Sequence, residues 1–226
     1  MVGLKLLLRI IIVSLLHHRL LRFLSSITLE KGNPIKEPIM NEQRNSGSVT
    51  SLTAAQEFMR DLWEKHVQCE FTTHNTEDTL ATMVEDAYVN HIPVLTGGVG
   101  RDQLREFYSN RFIPQMPPDT EMIPISRTIG NDQLVDEMVF KFTHTIRMDW
   151  MLPGVAPTGK RVEVPLVAIV RFRDGKLAHE HIYWDQASVL VQIGLLDADT
   201  LPVAGIESAR KALDPSLPSN TLIRRG

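Results

Sequence analysis

The stretch Arg161–Leu196, RVEVPLVAIVRFRDGKLAHEHIYWDQASVLVQIGLL, predicts a strand, a tight turn, a second strand and a helix in succession. Asp174-Gly175 indicates the turn, because a two-residue type I′ turn needs a positive φ at both central positions. The run before it is rich in β-branched and apolar residues, which is typical of a largely buried strand. After the second strand, Gln186–Leu196 predicts the helix.

Side chains alternate between the two faces of the second strand of this hairpin. One face carries Leu177, His179, His181, Tyr183 and Asp185, and the other carries Ala178, Glu180, Ile182 and Trp184. The first face combines two histidines, a phenol and a carboxylate. It forms a functional site if it faces a cavity, and it has no such role if it faces solvent.

Charge is unevenly distributed along the chain of 226 residues, whose net charge is −3. Residues 1–40 carry six Lys or Arg and two Glu, a balance of +4, so the other 186 residues carry 18 against 25, a balance of −7. An acidic body argues against nucleic-acid binding, which needs a basic surface. The single cysteine, Cys69, excludes an intrachain disulfide and favours a reducing compartment, so we expect a cytoplasmic protein.

The chain divides into an extension at 1–49, one domain at 50–197, and a C-terminal helix and tail at 198–226. Residues 1–29 contain basic residues and no acid, but their apolar runs are too short to span a membrane. They are compatible with a targeting sequence or an interfacial anchor, so membrane or organelle association is the alternative localisation. Equally, they are absent from the functional protein if it starts at Met40, which opens a polar linker.

Upstream of the hairpin, apolar periodicity predicts helices first and strands afterwards. The expected helices are 53–71, Thr76–Asp86 and Asp102–Phe112, with a short strand Ala87–Ile92 before the third. The expected strands are Glu121–Ile129 and Leu134–Met148, followed by a loop Trp150–Lys160 that is typical of a lid over a pocket. A last helix is expected at Pro202–Leu213. This order of elements predicts an α+β fold.

From about Thr53 to Leu196, the chain resembles the SnoaL-like polyketide cyclases of the NTF2-like superfamily. The resemblance rests on the opening helix, on His91 before a Gly-rich turn, on the residues of Gly100–Tyr108, on Trp184-Asp185 and on Gln192-x-Gly194. It implies an NTF2-like cone, in which a curved antiparallel sheet wraps around the N-terminal helices and encloses a mostly apolar cavity. It also implies catalysis without cofactor or metal, and a homodimer.

In this family, an aspartate in the position of Asp185 is the acid/base group of an intramolecular aldol cyclisation. A carboxylate at the mouth of an apolar cone has its pKa raised by desolvation, which suits a proton shuttle. The alternative role of Asp185 is the N-cap of the helix that begins at Gln186. His91 and His144 are predicted to polarise the substrate oxygen, and the alternative for each is a buried histidine with a structural role.

Further residues are candidates for the substrate pocket, and the alternative for the aromatic ones is an ordinary place in the core. They are His181, Tyr88, Trp150, Tyr183 and Trp184. His179-Glu180-His181 does not predict a metal site, because only the two histidines share a strand face and no third ligand is indicated.

These observations predict a cofactor-independent enzyme that transfers a proton alpha to a carbonyl of a small apolar, polyketide-like compound, in a cyclisation or an isomerisation. One alternative is a non-catalytic NTF2-like module for ligand binding or dimerisation. Another is a dehydratase or an epoxide hydrolase on the same fold. An enzyme needs its polar groups together inside a pocket, whereas a binding module needs only a complementary shape.

Overall fold

The computed structural model describes residues 51–225. The predicted extension at 1–49, with its targeting or anchoring role, lies outside the described residues. Within the described part, every helix is too short or too polar to cross a membrane.

Five α-helices are described between residues 51 and 225. They are α1 (Ala54–Phe71), α2 (Thr76–Ala81), α3 (Gly100–Phe107), α4 (Gln186–Gln192) and α5 (Glu207–Leu213). A π-helical turn (Tyr108–Phe112) and a 3-10 turn (Ile113–Gln115) continue α3, and another 3-10 turn lies at Ile223–Arg225. α1 begins with a capping box, in which the Thr53 side chain accepts from the backbone of Gln56, and the Gln56 side chain accepts from the backbone of Thr53.

Six strands form one curved, unclosed sheet in the order β2-β1-β6-β5-β4-β3. They are β1 (Met83–His91), β2 (Thr96–Val99), β3 (Glu121–Ile129), β4 (Gln133–Thr143), β5 (Arg161–Arg173) and β6 (Lys176–Trp184). Neighbouring strands are antiparallel, except for the parallel pair of β1 and β6. The combination of helices and a curved sheet confirms the predicted α+β class.

The predicted hairpin is present as β5 and β6. Arg173 pairs with Lys176, and the two residues between them have positive φ values, 52° at Asp174 and 68° at Gly175. These angles are what a type I′ turn requires. The turn therefore lies at Asp174-Gly175, as the sequence predicts.

Several predicted boundaries differ from the structure. The short strand begins at Met83 instead of Ala87, the third helix at Gly100 instead of Asp102, and the last helix at Glu207 instead of Pro202. The second helix ends at Ala81 instead of Asp86, because the next residues join the sheet and the Thr82 carbonyl accepts a bond from the backbone of Leu177. The strand predicted to reach Met148 ends at Thr143, whose N–H and hydroxyl are both bound by the Asp119 carboxylate. The helix after the hairpin ends at Gln192, shortly before Gly194 with its φ of 81°.

The core lies between the helices and the inner face of the sheet. β5 contributes a continuous apolar row, with Val162, Val164, Leu166, Ala168, Val170 and Phe172 all buried. The loop after β4 adds Trp150, Met151 and Leu152, which are also buried. The segment predicted as a lid is thus partly core.

Candidate functional site

A cavity of about 290 Å³ opens into this core. Its wall comes from α1, the end of α3 with its π-helical turn, five strands of the sheet and the loop after β4. The aromatic side chains that line it are Trp63, Phe71, Phe107, Tyr108, Phe112, Phe140 and Trp150. A cavity with this lining suits a small, mostly apolar ligand.

One polar cluster lies in the wall of the cavity around His66. His66 and Glu70 are one turn apart on α1, so their side chains lie side by side, and Glu180 reaches them from β6. The His66 Nε2 atom lies 3.1 Å from Oε1 of Glu70 and 3.1 Å from Oε1 of Glu180. The Tyr108 hydroxyl donates to the same Glu180 oxygen at 3.3 Å. Glu70, Tyr108 and Glu180 line the cavity, whereas His66 lies behind them, fully buried.

The hydrogen bonds of His66 define its protonation. Its Nδ1 lies 2.6 Å from the Thr82 hydroxyl, and that hydroxyl donates its only proton to the Thr79 carbonyl at 2.6 Å. Nδ1 therefore carries a proton. Nε2 faces two carboxylate oxygens, which is a stable arrangement when Nε2 is protonated as well. Burial disfavours the charged ring, but the attraction and hydrogen bonds of Glu180 and Glu70 outweigh it and raise the pKa of His66 to about 10.

One imidazolium cannot balance two carboxylates. Burial raises the pKa of Glu70 above its usual value, although the charge and hydrogen bond of His66 act in the opposite direction. Burial, together with the charges of Glu180 and Glu70, raises the pKa of Tyr108 well above 10. The cavity wall thus holds a carboxylate with increased proton affinity next to a phenol that remains protonated.

His91 lines the cavity as a neutral ring. Burial lowers its pKa to about 4. Its Nδ1 lies 3.0 Å from the Thr96 hydroxyl, which donates its own proton to the Trp150 carbonyl at 2.7 Å. Nδ1 is therefore the protonated nitrogen, and Nε2 can only accept a hydrogen bond. The predicted role of His91, to polarise a carbonyl oxygen, needs a donor, and Nε2 does not supply one at neutral pH.

A second polar group lines the same cavity. The buried Asp136 accepts two bonds from Arg127, at 3.1 and 2.7 Å, and one from Nε1 of Trp63 at 2.9 Å. The remaining terminal nitrogen of Arg127 donates to Glu64 at 2.8 Å. Trp63, Glu64, Arg127 and Asp136 are all lining residues.

Asp185 lies outside the cavity lining. It is exposed and is the N-cap of α4, where its Oδ1 accepts from the backbone of Ser188 at 3.1 Å. The structure therefore assigns to Asp185 the capping role that was its alternative.

His144 is also away from the cavity lining. It follows the end of β4, fully buried, with Nδ1 3.2 Å from the Thr158 hydroxyl and with Nε2 unpaired. Burial lowers its pKa, so it is neutral at physiological pH. The structure does not bring His144 together with His91 or Asp185.

One face of β6 points into the cavity and the other points away from it. Glu180 and Ile182 line the cavity, whereas Tyr183 is exposed on the opposite face. His181 is on that outer face too, where its Nε2 lies 3.1 Å from the Tyr88 hydroxyl. The face with two histidines and a tyrosine therefore points away from the cavity, because the more apolar set of side chains packs inward.

Two predicted pocket residues are in or near the wall. Trp150 lines the cavity, and Trp184 is buried behind it, 6.2 Å from Trp150 between ring centroids. Four aromatic rings, including these two, surround His91 at centroid distances of 5.5–5.8 Å.

A family model described as SnoaL-like polyketide cyclase matches residues 53–193, which is more than half of the chain. The chain belongs to the SnoaL-like polyketide cyclase family. No curated protein sequence matches it.

Solved structures of polyketide cyclase type share the fold of this SnoaL-like chain. A protein from Jannaschia sp. CCS1, assigned as a SnoaL-like polyketide cyclase, is 18% identical with a TM-score of 0.51, over 66% of this chain and 99% of that chain. A protein from Xanthomonas campestris pv. campestris, assigned as a polyketide cyclase, is 16% identical with a TM-score of 0.50, over 62% of this chain and 100% of that chain. A hypothetical protein from Catenulispora acidiphila DSM 44928, described as having a ketosteroid isomerase-like fold, is 17% identical with a TM-score of 0.47, over 60% of this chain and 94% of that chain.

The polar cluster of this SnoaL-like domain also has the spacing of a cation site. The ligand atoms of His66, Glu70 and Glu180 lie within 4.8 Å of one another, the one such group found between residues 51 and 225. A cation would compete there with the Nε2 proton of His66, because a histidine binds a metal through a deprotonated nitrogen.

The sequence reasoning missed His66, Glu70, Tyr108 and Glu180. Two signals were present in the sequence. His66 and Glu70 are four residues apart, at the edge of the apolar stripe of α1, and Glu180 is the one charged residue among the apolar side chains on its face of β6. A buried charged side chain usually has a polar partner, so the pair on α1 and the glutamate on β6 are candidates for one cluster.

Proposed function

We propose that the cavity catalyses proton transfer alpha to a carbonyl group of a small, largely apolar compound, in a cyclisation or an isomerisation, with Glu70 as the acid/base group. The observation that carries this proposal is the meeting of two glutamates at His66 in the wall of an apolar cavity. Membership of the SnoaL-like family supports an enzyme-like function.

Glu70 is the carboxylate to which we assign the proton transfer. Glu70 and Glu180 both lie 3.1 Å from Nε2 of His66, and the Tyr108 hydroxyl interacts with both of them. Burial of Glu70 raises its pKa, which brings its basicity closer to what proton abstraction at neutral pH requires.

The reaction would start with the carboxylate of Glu70 removing a proton from the carbon next to the carbonyl. The electron pair of the broken C–H bond forms a double bond to the carbonyl carbon, the π pair of the carbonyl moves onto its oxygen to give an enolate, and Glu70 becomes a carboxylic acid. In a cyclisation the enolate carbon attacks a second carbonyl of the same molecule, and the resulting alkoxide takes the proton. In an isomerisation Glu70 returns the proton to a different carbon.

Tyr108 is suited to stabilise the enolate oxygen. Its pKa lies well above 10, so the phenol keeps its proton and can donate it in a hydrogen bond. Its bond to Glu180 is long, at 3.3 Å, and can be exchanged for a bond to the substrate. His66 touches no substrate in this scheme. It is a positioning residue that holds both carboxylates in the apolar wall.

The surroundings of the cluster restrict the substrate. A volume of about 290 Å³ is at the low end of ligand cavities, so the substrate is small. The neutral His91 lines the same cavity and has an acceptor at Nε2, which favours a substrate that carries a hydroxyl group.

The test is turnover of small apolar diketones, followed as formation of the cyclic isomer. We expect Glu70→Gln to remove most of the activity, because glutamine keeps the size of the side chain but cannot take up the proton. Glu180→Gln should reduce the activity, because Glu180 holds the His66 ring and the Tyr108 hydroxyl in place. Asp185→Asn is the matched control and should retain the activity. Saturable binding without turnover in the unmodified chain would instead favour the non-catalytic binding module.

A further inference from the structure

The second polar group of the cavity contains an arginine with two unequal carboxylate partners. Asp136 is 5% exposed and is bound through both oxygens by Arg127. The Glu64 side chain is 57% exposed and is bound through a single oxygen, 2.8 Å from Nη1 of Arg127. One partner is therefore fixed in the wall, whereas the other reaches in from the surface of α1.

We propose that Arg127 binds a carboxylate group of the ligand, which takes the place of Glu64 on Nη1. This inference rests on the proposed function, since it adds a carboxylate to the small apolar carbonyl compound that the cavity is proposed to convert. Arg127 would then determine which carbonyl compounds the cavity accepts.

Replacing Glu64 on Arg127 by a ligand costs the protein little stability. An ion pair with an exposed carboxylate contributes little to stability, because water solvates the free carboxylate almost as well. Glu64 can return to solvent, whereas Asp136 cannot leave without exposing a buried charge in an apolar wall. Nη1 is thus the position of Arg127 where a partner can change.

The geometry favours a carboxylate over other acceptors. The fork of Nε and Nη2 is bound to Asp136, so Nη1 is the nitrogen left for a ligand, and a charge-assisted bond from it to a carboxylate is stronger than a bond to a neutral oxygen. A ligand carboxylate on Nη1 takes the place of the Glu64 carboxylate, so the number of carboxylates bound to Arg127 stays the same. Arg127, Glu64 and Asp136 all line the cavity, so the exchange takes place next to a bound ligand.

The experiment compares two probes of the same shape, 2-naphthoate and methyl 2-naphthoate. Binding is measured by quenching of tryptophan fluorescence, since Trp63 and Trp150 line the cavity. With the unmodified chain we expect the acid to bind about tenfold more tightly than the ester, the size of a charge-assisted bond at a partly exposed site.

Two variants separate recognition from folding. Glu64→Gln changes an exposed residue, and it should tighten binding of the acid because it removes the competing carboxylate, while binding of the ester stays the same. Arg127→Gln should bind both probes with the affinity of the ester. Equal affinities in the unmodified chain, no saturable binding of either probe, or a preference for the acid that survives in Arg127→Gln would each overturn the inference. These ratios do not depend on turnover, so a failure here is distinct from a loss of the role of Glu70.

Discussion

Trp63 stacks on His66, with 5.6 Å between the ring centroids and 15° between the planes, and its Nε1 donates to Asp136 at 2.9 Å. One indole therefore touches both polar groups of the cavity. On one side it covers the imidazolium that holds Glu70 and Glu180, and on the other it supports the carboxylate that holds Arg127.

This contact predicts the effect of Trp63→Phe. Phenylalanine keeps an aromatic ring beside His66 but lacks the N–H group, so Asp136 loses a donor inside the core. We expect the free energy of unfolding to fall by about 1–3 kcal/mol in urea denaturation. Trp150→Phe is the control, because the indole of Trp150 donates over a longer distance, 3.3 Å, to the Gln115 carbonyl. An equal or larger loss in Trp150→Phe would contradict the importance of the bond to Asp136.

The pH dependence of stability should identify the charge on His66. Its pKa is raised from 6.5 to about 10, so the stabilisation is complete below pH 6.5 and is lost as the pH rises through 10. We compare the unmodified chain with His66→Gln, which leaves both glutamates without a cation and should cost about 3–5 kcal/mol at pH 7.

The difference in unfolding free energy between the two proteins should then shrink from pH 7 to pH 10. Groups away from the cluster titrate alike in both proteins, so their contributions cancel in the difference. A difference that stays constant over the range would mean that His66 is neutral at pH 7.

The capping role of Asp185 predicts a split between two substitutions. Asp185→Asn keeps a side-chain oxygen for the N–H of Ser188, so stability and activity should both be retained. Asp185→Ala removes the cap and should lower the free energy of unfolding by about 1 kcal/mol, again with activity retained. Loss of activity in a folded Asp185→Asn protein would restore the aspartate to the chemistry.

The sequence predicts the hairpin that carries Glu180 and Asp185, but it does not predict which of these two carboxylates faces the cavity. The β5–β6 hairpin was predictable because Asp174-Gly175 is a local signal with a local physical cause. Alternation along β6 separated two sets of side chains, but it could not tell which set faces the helices. The inward set contains Glu180, and a glutamate is stable there only because His66 approaches from a helix far away in the sequence.

The family resemblance predicted the fold correctly for a related reason. Apolar periodicity, turns and caps are spread along the whole chain, so many weak signals agree on one architecture. A site depends on a few side chains from different elements. His66, Glu70 and Glu180 lie on α1 and β6, and their contact follows from packing, which a single sequence does not specify.

A glycine is required at position 97 for β2 to lie against β1, the strand that carries His91. Gly97 has a φ of 134°, and a Cβ atom there would lie 2.0 Å from the Val89 carbonyl oxygen. Gly97→Ala should therefore separate β2 from β1 and cost well beyond the about 1–2 kcal/mol of positive-φ strain alone.

The control for this substitution is Gly154→Ala. Gly154 also has a positive φ, 74°, but nothing lies within 4 Å of a Cβ atom there. We expect a loss of only about 1–2 kcal/mol in thermal or urea denaturation. Similar losses for the two variants would show that the close approach to Val89 is relieved at little cost.

The most direct test of the proposed chemistry is exchange of the α-hydrogens of 2-tetralone in D₂O, followed by NMR with unmodified protein, Glu70→Gln and Asp185→Asn. We predict that the unmodified protein accelerates the exchange, that Glu70→Gln is slower by at least about 100-fold, and that Asp185→Asn matches the unmodified protein. Exchange that is not accelerated by the unmodified protein, or that is equally fast in Glu70→Gln, would contradict the role of Glu70.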